Sequence, residues 1–274
     1  MSTPRRRLNR YDLYELTVQL PPIQARFLRA VHGGSPEVLG EDFCGPASIA
    51  RAWLELSGDH RAVATDRDPD PLEHVRVRAA EQLGPGWGPR LTLRESDVAA
   101  VGDHADIVAA LNFAVCELHT RAALMTYLRR AVYRLNAGGV FVCDLYGGSD
   151  AMSPGQSDQT VKTPSGGVGY TWEQREADPL TARVVNAIHF VTPKPESKAM
   201  RDAFVYDWRL WGVAELRDAM REAGFGRTEV YADYGDAMDG DGNLIVRPIS
   251  WDGAVGAAGP ELEDNWVVYV VGRV

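Results

Sequence analysis

The sequence predicts an α/β fold in which a doubly wound parallel sheet is followed by antiparallel strands. Three observations lead there. Through about residue 145, short apolar runs alternate with amphipathic helical patterns, the order that builds βαβ units. One of those runs, ADIVAALN at 105–112, is almost wholly apolar, as a strand covered on both faces must be. After residue 147 the pattern changes to alternating strand-like runs separated by turn residues.

The elements follow in order. Residues 10–31 carry Leu13, Leu16, Leu20, Ile23, Phe27, Leu28 and Val31 at helical spacing, broken by Pro21 and Pro22, so two short helices precede the first strand. Strands are expected at 37–43, 61–66, 90–96, 105–112 and 140–146, with helices at 47–57, 69–83 and 118–135 between them. Residues 147–167 are rich in Gly, Ser, Pro and Asp and read as a mobile loop. Strand-like runs at 168–176, 181–191 and 203–211 come next, the first two joined by the turn ADPL into a hairpin. A helix at 213–223 closes on Gly224, and strands near 227–233 and 265–272 finish the chain. The whole of 1–274 is read as a single domain, with 1–35 an N-terminal helical cap and 147–211 an inserted loop and antiparallel lid.

Composition limits the partners. Hydrophobic residues make up 45% and charged residues 24%, ordinary for a globular protein, and the formal charge of −9 argues against a surface that neutralises nucleic-acid phosphates. Arg5, Arg6 and Arg7 are the one basic run and read as a solvated terminus. The three cysteines, Cys44, Cys116 and Cys143, lack metal-ligand spacing, so no metal is expected and the thiols suit a reducing, cytoplasmic setting. No run approaches a membrane span, and no membrane association is expected. The oligomeric state is left open, a homodimer being one option.

The most telling stretch is VLGEDFCGPASIARAWLEL at 38–56 followed by HRAVATD at 60–66. An apolar strand runs through Glu41 into a turn with Cys44 and Gly45, a helix starts, and a second strand ends in Asp66, twenty-one residues after Gly45. A glycine lets backbone approach a ligand, a helix start offers free N–H groups, and an acid at that distance accepts both hydroxyl protons of an unphosphorylated ribose. The turn lacks the three glycines of a dinucleotide site.

At these residues the sequence resembles the class I S-adenosylmethionine-dependent methyltransferases of small-molecule type, whose first motif reads roughly [DE]-x-[GA]-C-G-T-G. Glu41, Cys44 and Gly45 match, whereas Phe43, Pro46 and Ala47 depart from the usual small residues and threonine. The resemblance extends over most of the chain, through AELRDAMREAGFGRTEVY at 214–231. It implies a Rossmann-like seven-stranded sheet, mostly parallel with the last strand antiparallel, and S-adenosyl-L-methionine as cofactor. It further implies that Glu41 helps hold the cofactor's amino group, Asp66 the ribose and Asp97 the adenine, while Asn112 and Phe113 flank the methionine arm. Tyr11 and Tyr14, one helical turn apart, are expected to cap the sulfonium.

For a small-molecule acceptor the candidates are Tyr146, Tyr170, Trp172, His189 and Arg209, with His119 as a candidate general base and His189, Glu173 and Asp144 as others. Cys44 reads as a packed thiol rather than a nucleophile. The expected reaction is in-line transfer of a methyl group to nitrogen or oxygen of a small molecule. The alternatives are a cofactor-binding protein without catalysis, suggested by Phe43 and Ala47, and an NAD-dependent oxidoreductase.

Overall fold

The computed structural model describes residues 8–84, 86–163, 166–193, 197–235, 237–240, 244–249 and 264–274. The chain divides into two units. The larger, Pro21–Ala151 with Arg209–Val274, holds α2 (Pro21–His32), β1 (Val38–Asp42), α3 (Ser48–Leu56), β2 (Arg61–Asp66), α4 (Pro69–Leu83), β3 (Leu91–Glu95), β4 (Ala105–Ala110), α5 (Arg121–Arg134) and β5 (Leu135–Gly147). It is completed by α6 (Val213–Ala223), β10 (Arg227–Tyr231), the two-residue strands β11 (Ala237–Met238) and β12 (Leu244–Ile245), and β13 (Trp266–Arg273). The smaller unit combines α1 (Arg10–Thr17) with β6 (Gly155–Thr163), β7 (Gly166–Asp178), β8 (Arg183–Val191) and β9 (Ala199–Arg209).

The main sheet has seven strands in the order β10-β13-β5-β4-β1-β2-β3. Pairs β1–β2, β2–β3, β1–β4 and β4–β5 are parallel, and β13 runs antiparallel to both β5 and β10. The sheet therefore reverses its winding between β1 and β4, where Leu39 faces Ile107 and Glu41 faces Ala109. In such sheets the crevice beyond the carboxyl ends of those two strands is where ligands bind. One face is sealed by Phe27 of α2, which meets Tyr231, Tyr234 and Tyr269 at ring distances of 5.7, 5.3 and 5.1 Å. Trp53 of α3 is fully buried, stacked 4.2 Å from His60, with its indole N–H donating to the Glu37 carbonyl.

A buried ion pair lies beneath β1. Arg134 donates to both carboxylate oxygens of Asp42 at 2.9 and 2.8 Å, and the Tyr127 hydroxyl donates to Asp42 at 3.0 Å. Both charged side chains are fully buried. Burial pushes the Asp42 carboxyl up, opposed by the guanidinium. Gly40 makes the room: a Cβ there would sit 2.9 Å from Arg134 Nη2.

The smaller unit is a four-stranded antiparallel sheet in the order β6-β7-β8-β9. The hairpin expected across ADPL is present as β7–β8. The segment read as a mobile loop differs from that reading. Residues 155–163 form the edge strand β6, which pairs with β7 from Gly155–Gln174 to Thr163–Gly166, and residues 149–152 form a 3-10 turn. Exposed side chains hid the strand, since nearly every residue of β6 faces water and supplies no apolar alternation. Residues 164 and 165 of that stretch lie outside the described residues.

Candidate active site

The turn after β1 has an unusual backbone. Phe43, Gly45 and Ala47 all adopt left-handed conformations, with φ of 52°, 50° and 49°. Glycine enters that region freely and other residues at a cost, so Phe43 and Ala47 stand at positions where the backbone favours glycine. Strain of this kind persists only where surrounding structure holds it. Here Asp66 Oδ2 accepts the Gly45 N–H at 2.8 Å, and the Cys44 N–H donates to the Thr65 carbonyl. A Cβ on Gly45 would meet nothing within 4 Å, so the space above it is open.

Ala47 is the N-cap of α3 and has no side chain to cap it. Glu41 substitutes from the neighbouring strand, its Oε2 accepting the Ala50 N–H at 2.7 Å while the side chain lies buried. That satisfies one of the helix's otherwise unpaired N–H groups and sets a negative charge against the positive end of the helix dipole. Asp66 also accepts the Asp68 N–H at 3.0 Å through Oδ1. A carboxylate oxygen can accept more than one bond, so Asp66 keeps acceptor capacity beyond these contacts. Cys44 is buried, and burial together with the carboxylates of Glu41, Asp66 and Asp42 pushes its thiol well above the usual range, which makes it inert.

Across the reversal point, Asn112 and Phe113 follow β4 and are both left-handed, with φ of 62° and 63°. Asp144 of β5 accepts both of their N–H groups, at 2.9 Å from Asn112 and 2.6 Å from Phe113. Its carboxyl is buried, which raises it to about 7 against the pull of those two bonds. The Phe113 ring packs at 4.8 Å from Tyr146, so these two residues of the sequence reading do meet. Asp97 lies just past β3, its Oδ1 accepting the Ala99 N–H at 2.8 Å.

The remaining candidates have other surroundings. His119 precedes Thr120, the N-cap of α5, and its carbonyl accepts from Arg209. Arg209 stacks 3.8 Å over Trp211 and bonds Glu215, so its guanidinium braces the start of α6. In the smaller unit, Tyr11 and Tyr14 pack against Phe204 at 5.8 and 5.0 Å, part of an aromatic face that includes Tyr170, Trp172, Phe190, Tyr206 and Trp208. His189 is cross-strand from Thr171 and so lies on the opposite face from Tyr170 and Trp172. Its ring bonds Glu173 at 2.9 Å and accepts the Asp202 N–H at 2.9 Å, with Arg175 bonded to both acids.

Reading from sequence missed the Asp42–Arg134–Tyr127 network and the caps made by Glu41 and Asp144. Asp144 carried one signal, an acid ending an apolar strand, but its partners are 31 and 32 residues away.

By sequence, no protein-family model and no curated protein matches the chain. By structure, it is similar to a S-adenosylmethionine-dependent methyltransferase from Clostridium acetobutylicum, with a TM-score of 0.67 at 14% identity over 96% of this chain and 97% of that one. The chain has the class I methyltransferase fold. Two further structures share that fold. DesVI of Streptomyces venezuelae aligns with a TM-score of 0.66 at 19% identity, covering 96% of this chain and 95% of that one. CalS10 of Micromonospora echinaspora, an amino pentose methyltransferase solved with S-adenosylmethionine bound, aligns with a TM-score of 0.65 at 15% identity, covering all of both chains. The expected seven-stranded, mostly parallel sheet with an antiparallel last strand and an added antiparallel sheet is what this fold contains.

Proposed function

We propose that the chain is a S-adenosylmethionine-dependent methyltransferase acting on nitrogen or oxygen of a small molecule. The observation that carries this reading is the pairing of two acids, Glu41 and Asp66, with an open left-handed glycine turn at the reversal point of a class I methyltransferase fold. The donor chemistry fits. Ribose hydroxyls and an ammonium group are donors, and the Asp66 and Glu41 carboxylates are acceptors. The turn has one glycine where a dinucleotide site has three to admit a pyrophosphate, which disfavours NAD.

When bound, the cofactor supplies an electrophilic methyl carbon on a sulfonium. The chain's task is to position an acceptor in line with it and keep water away. Asp66 would hold the ribose, Glu41 the amino group, Asp97 the adenine, and Asn112 and Phe113 the methionine arm. Tyr11 and Tyr14 are assigned to the sulfonium, and Tyr146, Tyr170, Trp172 and Arg209 to the acceptor, whereas His189, on the opposite sheet face and bonded to Glu173, leaves that set. His119 is the candidate base for a protonated amine or a hydroxyl. Structural neighbours described as a sugar N-methyltransferase and an amino pentose methyltransferase make an amine on a sugar the first acceptor class to test.

Calorimetry with S-adenosylmethionine, S-adenosylhomocysteine and NAD tests the cofactor, and mass spectrometry of amino-sugar mixtures tests the transfer. Binding of the first two but not NAD, with an acceptor gaining one methyl group, is expected. Binding of NAD alone would overturn the reading, and cofactor binding with no turnover on any amine or hydroxyl would favour a non-catalytic binding protein.

A further inference from the structure

The geometry points to Asp144 as the positioning residue of the cofactor crevice, a buried carboxylate that holds the two left-handed residues at the end of β4 in place. The inference rests on the cofactor reading above. Two consecutive non-glycine residues in the left-handed region are rare, and each resists that conformation. Something must hold them. The Asn112 and Phe113 N–H groups converge on the two oxygens of one carboxylate, one on each, at 2.9 and 2.6 Å. A carboxylate is the one side chain that accepts on both prongs; an amide would turn a donor toward one N–H and a protonated acid would weaken one contact.

The environment makes this clamp sensitive to pH. Burial raises the Asp144 carboxyl to about 7, and no charged neighbour contributes to that shift. The titratable groups facing it are the Cys116 thiol in the 3-10 turn after β4, the Cys143 thiol on its own strand, Tyr269 opposite it on β13, and Tyr234. All four are pushed above their usual ranges by burial, so each stays neutral between pH 5 and 8. Asp144 is left as the group among these whose charge changes in that interval. Ionised, it grips both N–H groups; protonated, it loosens one, and Asn112 and Phe113 relax toward ordinary backbone. The crevice is then better formed above pH 7 than below it.

Two measurements on the intact protein test this. In the free protein, amide proton shifts of Asn112 and Phe113 followed by NMR from pH 5.5 to 8.5 should titrate together with a midpoint near 7 and move little in Asp144→Asn. Cofactor affinity by calorimetry should fall about three- to tenfold between pH 8 and pH 6 in the wild type, and Asp144→Asn should bind at the weaker level throughout, independent of pH. Amides that do not titrate, or an Asp144→Asn variant that binds as tightly as wild type at pH 8, would overturn the proposal. If the wild type binds no S-adenosylmethionine at any pH while the amides titrate, the clamp stands and the cofactor reading fails.

Discussion

Phe43 and Ala47 depart from the motif they sit in, and both occupy left-handed backbone. The left-handed conformation costs about 1–2 kcal/mol for a residue with a Cβ, of which a glycine's extra unfolded-state freedom returns part. Ala47→Gly is therefore expected to raise stability by about 0.5 kcal/mol, read from denaturant unfolding. Phe43→Gly relieves the same strain but loses the ring's edge contact with Tyr127 at 5.5 Å, so its stability should stay near the wild type's while cofactor affinity is kept or tightened. A large loss of affinity in a folded Phe43→Gly variant would make the ring a positive part of the pocket. Asp66→Ala removes both the proposed ribose acceptor and the tether on Gly45, and calorimetry should show a loss of about 2 kcal/mol. Asp144 adds a pH dependence to stability itself. Its folded-state value, raised above the unfolded one, means the protein binds this proton more tightly when folded, so this group's contribution is full below about pH 4 and is lost as pH rises through 7. Asp144→Asn should accordingly gain stability relative to wild type as pH goes from 5 to 8.

Among the elements, β1 depends most on distant partners. Its Asp42 is fully buried and is neutralised by Arg134 from the end of α5. Truncating one partner leaves the other charge buried and unpaired, so Arg134→Leu should cost about 3–5 kcal/mol, whereas Arg134→Leu combined with Asp42→Leu should cost much less. Equal losses in the two proteins, measured by urea unfolding, would show that the pair matters through packing alone. The strand β6 makes a second element-scale test. As an edge strand it turns alternate amides toward β7, and hydrogen exchange should find slow and fast amides alternating from 155 to 163. Uniformly fast exchange would restore the loop reading.

At the scale of the whole molecule, the chain divides into two units. Glu41, Asp66 and Asp144, with left-handed Phe43, Gly45, Ala47, Asn112 and Phe113, lie in the seven-stranded unit, and the aromatic face lies in the four-stranded one. Trp172 packs 6.0 Å from Trp208, which itself stacks on Tyr206. Trp172→Ala is expected to lower turnover with the true acceptor while leaving cofactor affinity within about 0.5 kcal/mol. A collapse of cofactor affinity in a variant with intact circular dichroism would assign that face to the cofactor instead.

The elements themselves were legible in the chain because their signals are local. ADIVAALN is apolar enough to be a central strand wherever it sits, and DPDPLEHVRVRAAEQL carries its own cap in Asp68 and its own period, so its helix begins and ends where the sequence says. The Gly45-to-Asp66 spacing pointed to a ligand with an unphosphorylated ribose, the resemblance at Glu41, Cys44 and Gly45 named the cofactor, and the Gly45–Asp66 hydrogen bond is that spacing in three dimensions. What the tertiary structure alone decided are the contacts that cross between strands. Glu41 caps a helix nine residues on, Asp144 grips backbone 31 and 32 residues back, and Asp42 meets an arginine 92 residues away. In each case a buried carboxylate must find donors or a counter-charge, and which one it finds depends on strand order in the sheet. Strand order is a property of packing, absent from any local period. For the same reason β6, whose own residues carry no apolar alternation, became a strand only by having β7 to pair with.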